Sequence, residues 1–183
     1  MKRDKMEYKL KKELDRQRFE HTLGVEQTAR QMARVFGEDE EKAALAGLLH
    51  DCAKCMPLSQ MIKAARHADV DPVMKESKAL MHAVAGMCVA KNVYGVDDPD
   101  VLGAIRWHTT GHAGMTRLEK IIYLADYIEP SRDFPGVDKL RKVCYEDLDR
   151  GLLMGLEMTI EEMTSMGNPV HHATIEARDA LKG

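Results

Sequence analysis

Apolar positions recur along the chain at spacings of three and four, with almost no alternating runs, so the pattern predicts helices throughout and no sheet. A first helix is expected over about residues 6–36, charged early and amphipathic later, with Gly37 as its C-terminal cap. On its later face His21, Val25, Thr28 and Met32 line up, which turns an imidazole toward the core. A second helix opens on Glu38-Asp39-Glu40-Glu41, acids suited to a helix N-terminus, and runs through an Ala/Leu stretch into His50-Asp51. Pro57 closes that connection, and Ser59 is expected to cap a short helix reaching His67. Asp71-Pro72 and Asp98-Pro99 read as caps followed by proline at the first helical position. Between them a helix carries His82 and stops at Gly95, and the helix after Asp98 ends at Trp107-His108-Thr109-Thr110. Thr116 with Glu119 forms a capping box for a helix over 118–129, which holds Asp126 and is ended by Pro130. One long helix is expected over 137–166, stopped by Gly167-Asn168-Pro169, and a short helix or tail then carries His171-His172.

Composition fits one helical domain. The 183 residues are 44% hydrophobic and 31% charged, enough to bury a core. Thirteen methionines against nine aromatics suit helix-on-helix packing. A net charge of -3 provides no footprint for wrapping nucleic acid or lying on an anionic membrane, so any phosphate binding must be local. No stretch approaches the roughly 18 apolar residues of a membrane span, and Met1-Lys2-Arg3-Asp4-Lys5 leads into a charged helix, so the expected address is cytoplasmic. Cys52, Cys55, Cys88 and Cys144 are too few for a disulfide framework and are expected to be reduced. The Cys52-x-x-Cys55 spacing lacks both a second ligand pair and a preceding strand, so it reads as incidental.

The residues that break the apolar pattern carry the chemistry. His21, His50-Asp51 and Asp126 stand on three different apolar helices, and burying any one of them alone is unfavourable. A shared cation resolves the conflict. Two imidazoles and two carboxylates suit Fe, Mn, Co, Ni or Mg better than a closed structural zinc, and they leave coordination positions open. Around them Arg18, Lys54 and Arg132 are placed to meet phosphate, Arg132 as a bidentate fork. His82 and His108 are candidates for proton donation, phosphate contact or a second metal. Trp107 reads as core and His112 as a turn residue.

In order and helical context this set resembles the HD superfamily of metal-dependent phosphohydrolases. Leu49-His50-Asp51-Cys52-Ala53-Lys54, His82, Trp107-His108-Thr109-Thr110-Gly111, and Tyr123 to Arg132 followed by Phe134-Pro135-Gly136-Val137 are similar to one family in particular, the YqeK-type symmetrical bis(5'-nucleosyl)-tetraphosphatases. The likeness runs from about Arg18 to the C-terminus. It implies an all-α HD-domain helical bundle with a metal site in its core, one domain over 1–183 with a helical core about 18–166 and the segment 167–183 packing near the nucleotide. It implies a divalent metal, iron as Fe2+ first with Mn2+, Co2+, Ni2+ or Mg2+ as alternatives, on His21, His50, Asp51 and Asp126. The reaction implied is cleavage of diadenosine tetraphosphate and related dinucleotides into two nucleoside diphosphates.

Catalytic roles then fall to Asp51, Lys54, His82 and His108, with Asp51 or Asp126 as base. Substrate contacts fall to Arg18, Asp51, Cys52, Ala53, Lys54, His82, His108, Thr109, Asp126 and Arg132, and in the C-terminal segment to Val170, His171 and Thr174. Cys52 departs from the family pattern, which leads one to expect a bulkier residue there, but no ligand is lost. The expected partner is a small-molecule nucleotide, with neither nucleic acid nor membrane, and a homodimer is one candidate assembly. Two other readings fit the residues: an HD phosphohydrolase of nucleotide monoesters or cyclic diesters, and a metal-dependent nucleotide sensor without turnover.

Overall fold

A computed structural model describes residues 1–183, and every regular element in it is helical. The order is α1 Arg3–Glu13, α2 Arg16–Phe36, α3 Glu40–Leu49, α4 Leu58–Ala64, a short 3-10 helix Pro72–Glu76, α5 Lys78–Asn92, α6 Pro99–Trp107, α7 Arg117–Ile128, α8 Val137–Glu146, α9 Leu148–Ser165 and α10 His172–Lys182. Most starts follow from the side chain that caps them. Asp39, Asp98 and Asp147 each accept two backbone N–H groups at the heads of α3, α6 and α9. Thr116 and Glu119 form the reciprocal capping box of α7, and Gly37 ends α2 with φ +67°.

The structure corrects three expectations. The helix expected over 6–36 is two helices, because Asp15 leaves helical geometry and its carboxylate accepts the Arg18 N–H. The helix expected over 137–166 is likewise two, divided at the extended Asp147. Aspartate is a poor interior residue and a strong cap, so each marks a break that periodicity alone reads through. The division also lets α9 fold back on α8, since a Cβ at Gly151 would stand 2.8 Å from Cys144 Cα. Lastly, α4 is capped by Pro57 and ends at Ala64, so Ser59 lies inside it and His67 beyond it.

One continuous cluster of 39 buried side chains runs from Met6 to Ala177 and ties α1 and α10 into the same core as the helices between them. Met6, Met32, Met61, Met74, Met81 and Met115 are buried, so the thioethers do fill the interior. A Cβ at Gly47 would lie 3.0 Å from Glu26 Cα, so glycine lets α2 and α3 approach closely. Lid-like on the outside, α1 buries Met6 and Leu10 and holds Glu26 with the Arg3 guanidinium at 2.7 Å. No helix is long and apolar enough to cross a membrane. What matters for function is that the C-terminal ends of α3, α6 and α7 meet beside the first turns of α2.

Candidate metal centre and its cavity

His21 lies in α2, His50 caps the end of α3, Asp51 follows it, His108 caps the end of α6, and Asp126 sits in the last turn of α7. Ligand atoms of His21, His50 and Asp126 all lie within 4.8 Å of one another, and so do those of His50, Asp51 and His108. His21 Nε2 is 2.9 Å from Asp126 Oδ1. His50 Nε2 is 3.5 Å from Asp51 Oδ2 and 3.9 Å from Asp126 Oδ1. His21, His50, Asp51 and His108 are buried, while Asp126 is partly exposed and opens onto a cavity.

The outer nitrogens determine what the inner ones can do. Nδ1 of His21 faces the Glu129 carboxylate at 2.9 Å, Nδ1 of His50 faces the Gly47 carbonyl at 2.6 Å, and Nδ1 of His108 faces the Ile105 carbonyl at 2.7 Å. An acceptor at Nδ1 puts the ring proton there and leaves the Nε2 lone pair pointing inward, the tautomer a metal ligand needs. His21 Nε2 and His50 Nε2 are buried without a hydrogen-bond partner, each a lone pair facing carboxylate oxygens that cannot donate to it. Such atoms are costly in an interior, and a divalent cation is the partner that this mixed nitrogen and oxygen set fits.

The field points the same way. Burial by itself pushes the Asp51 carboxyl up, but the His50, His108 and His82 imidazoles outweigh it and hold Asp51 well below the usual carboxylate range. Asp126 is likewise held low against its burial, by His21, His50 and Arg132. Both carboxylates therefore stay ionised. They also lie at helix C-termini, where the macrodipole is negative and a cation is stabilised by roughly 0.3–1 kcal/mol per helix.

Cationic side chains ring this cluster. Arg18 Nη1 donates to Asp51 Oδ2 at 2.8 Å, and Arg132 donates to Asp126 Oδ1 at 2.5 Å and to the Asp126 carbonyl at 2.8 Å. Lys54 Nζ is 3.2 Å from His82 Nε2, which is also 3.0 Å from His108 Nε2 and 3.1 Å from Asp51 Oδ1. Burial pushes His82 down to about 4, against the pull of Asp51, so its ring is neutral near pH 7. Lys54, His82, His108, Thr109, Asp126 and Arg132 line one cavity of about 610 Å³, within the usual range for small-molecule sites.

The remaining candidates sit elsewhere. Cys52 and Ala53 are buried beneath the cluster, with the Cys52 thiol directed at the Gly86 carbonyl at 3.5 Å. Val170, His171 and Thr174 do not line the cavity. His171 instead caps α10, its Nδ1 accepting the Ala173 N–H at 3.2 Å, while Asp71 Oδ2 stands 3.4 Å from both His171 Nε2 and His172 Nδ1. Trp107 and His112 pack on each other, and His112 Nε2 reaches Glu119 at 3.0 Å.

Glu129 escaped sequence reasoning. It is 1% exposed, faces His21 Nδ1, and accepts hydrogen bonds from the backbone and hydroxyl of Ser131. Burial pushes it up, but Ser131 and then His21 hold it below its ordinary value. A Cβ at Gly24 would stand 2.5 Å from Glu129 Oε2, so glycine makes the room this carboxylate occupies. The available signal was an acid at a helix C-terminus, directly before proline, where the macrodipole disfavours it.

Residues 18–131 match the HD domain family. The chain is 41% identical over 162 residues to a Bacillus subtilis protein named bis(5'-nucleosyl)-tetraphosphatase, symmetrical, covering 88% of this chain and 87% of that one. A Halalkalibacterium halodurans protein of the same name is 38% identical over 182 residues, 99% of this chain and 97% of its own. Among solved structures, one from Clostridium acetobutylicum, described as a predicted HD superfamily hydrolase involved in NAD metabolism, superposes with a TM-score of 0.96 at 46% identity, covering 100% of this chain and 97% of that chain.

Proposed function

The chain belongs to the HD-domain family, alongside the symmetrical bis(5'-nucleosyl)-tetraphosphatases, and from that premise we propose that it hydrolyses diadenosine tetraphosphate and related dinucleotides to two nucleoside diphosphates. The observation that carries this reading is the convergence of Nε2 lone pairs and ionised carboxylates beside a cavity lined by Lys54 and Arg132, with Arg18 paired to Asp51.

His21, His50, Asp51 and Asp126 would hold the divalent ion, a mixed imidazole and carboxylate set that suits Fe, Mn, Co, Ni or Mg, with Fe2+ put first by the family resemblance. Such an ion supplies Lewis acidity toward a phosphoryl oxygen and acidifies a water. The protein's own groups do the rest. Asp126, the ligand open to the cavity, accepts the proton of the attacking water, whose oxygen bonds to a central phosphorus as the bridging P–O bond breaks. The departing nucleoside diphosphate takes the electron pair of that bond, and Lys54 meets its negative charge. Arg132 offers a planar fork to a phosphate flanking the attacked one, and neutral His82 with Thr109 holds phosphoryl oxygens by hydrogen bonds. Attack at the centre requires equal lengths of substrate on either side. Val170, His171 and Thr174 lie outside the cavity lining, so a nucleoside bordered by this C-terminal segment would be one that projects beyond the cavity. A cytoplasmic address goes with this reading, supported by four cysteines that are all unpaired.

The test is an anaerobic assay with Fe2+ or Mn2+ and diadenosine tetraphosphate, products separated by chromatography. ADP as sole product is expected from the wild type. ATP with AMP would overturn central attack, and tight ADP binding without turnover would move the protein to the sensor reading.

A further inference from the structure

The cavity has two chemically different ends. Its inner end is cationic and hydrogen-bonding, with Lys54, His82, His108 and Arg132 beside the carboxylates. Its outer end is an apolar wall of Tyr127, Phe134 and Met158, each half-buried, with exposed Glu161 and Glu162 on the rim. Phe134 meets Tyr127 edge to face with ring centroids 5.5 Å apart, and Tyr127 stacks beside Tyr123 at 6.2 Å. Both tyrosine hydroxyls are engaged with Thr159, at 3.1 Å and 3.2 Å, so half-buried Tyr127 has no free hydroxyl to offer the cavity, while Tyr123 is buried. The phosphate chemistry described above stops at Arg132 and leaves this wall unused.

An acidic rim repels polyphosphate, so the chain of phosphates cannot extend over Glu161 and Glu162. The same carboxylates accept hydrogen bonds from an amino group, and the wall between rim and arginine suits a flat, polarisable ring. A phosphate held at one end and an amine-bearing ring at the other describe a nucleotide laid along the cavity. A dinucleoside polyphosphate brings two bases, and the C-terminal segment is a candidate for only one of them.

We propose that Tyr127, Phe134 and Met158 form a stacking subsite for the second purine of the substrate, whose exocyclic amine donates to Glu161 or Glu162. The inference rests on the proposed dinucleotide activity but makes a separate claim about binding.

The experiment measures equilibrium binding, by calorimetry on the metal-loaded protein, of diadenosine tetraphosphate with its central bridging oxygen replaced by methylene, a ligand that cannot be cleaved there. Phe134→Ala should raise its Kd about tenfold, the scale of one base stacked on one aromatic ring, and Phe134→Trp should restore it. Met158→Ala should raise Kd by about threefold through lost apolar contact. Inorganic tripolyphosphate, which carries no base, should bind wild type and all three variants alike. An unchanged Kd for the analogue in Phe134→Ala overturns the subsite, as does an equal loss of tripolyphosphate binding, which marks a structural effect. Wild-type turnover of the natural substrate is run in parallel. Protein that binds the analogue as described yet releases no ADP overturns the proposed activity and leaves the subsite standing.

Discussion

Two groups of histidine and carboxylate stand in this molecule, and they differ in what the outer imidazole nitrogens do. Around His21, His50 and Asp126 every imidazole spends Nδ1 on an acceptor, so each Nε2 arrives as a lone pair. Around Asp71, His171 and His172 the ligand atoms are equally close, but His171 Nδ1 accepts the Ala173 N–H. The ring proton of neutral His171 must then sit on Nε2, facing Asp71, where it makes that nitrogen a donor and not a ligand. The second group is a latch that ties the start of α10 to the 3-10 helix. Composition and proximity are alike in the two groups. The partner of the outer nitrogen separates them.

The comparison is broken most directly by deleting one member of each group. Asp126→Ala should leave the purified protein without bound metal by elemental analysis and lower ADP release about 1,000-fold or more, whereas His172→Ala should keep both within about twofold. Metal retained by Asp126→Ala but lost from His172→Ala would invert the assignment. Next in size, Lys54→Ala should reduce kcat about 100-fold with metal content unchanged, because it removes a charge aimed at the leaving phosphate and not a ligand. A parallel loss of metal in that variant would show Lys54 to be structural.

Smaller effects sharpen the contrast. Glu129→Gln should weaken metal affinity about tenfold, read by competition with a chelator, since the outer acceptor then carries no charge with which to polarise His21. Unaltered affinity would mean that any acceptor at Nδ1 serves. At the latch, Asp71→Ala should cost about 1 kcal/mol through loss of the cap on Val73 N–H and the imidazole contacts, lowering Tm by about 2–4 °C with metal content intact. If metal content fell with Tm, the two groups would not be independent.

Much of the site was legible because its residues violate their surroundings. His21 falls on an apolar face by spacing, His50-Asp51 ends an Ala/Leu run, and Asp126 interrupts an apolar helix. Each side chain announces a burial conflict within a few positions of itself. Glu129 does not, since Glu before Pro130 reads as an ordinary helix end, and its partner His21 is 108 positions away. The breaks at Asp15 and Asp147 were hidden for the opposite reason: helical periodicity continues on both sides, and only the capping preference of aspartate marks them. The apolar wall of Tyr127, Phe134 and Met158 joins one helix, one loop and a second helix, and no local pattern links them.

Gly24 and Glu129 constrain each other's evolution. With a Cβ at position 24 standing 2.5 Å from Glu129 Oε2, any side chain there must shift the carboxylate whose other oxygen faces His21. The order of substitution therefore matters. Gly24→Ala arriving first should be penalised, while the same change after Glu129→Asp meets a shorter side chain and should be milder. Measured as a double-mutant cycle, the two positions should show strong epistasis although neither touches substrate. Drift at a metal centre is in this way restrained by a residue with no side chain at all.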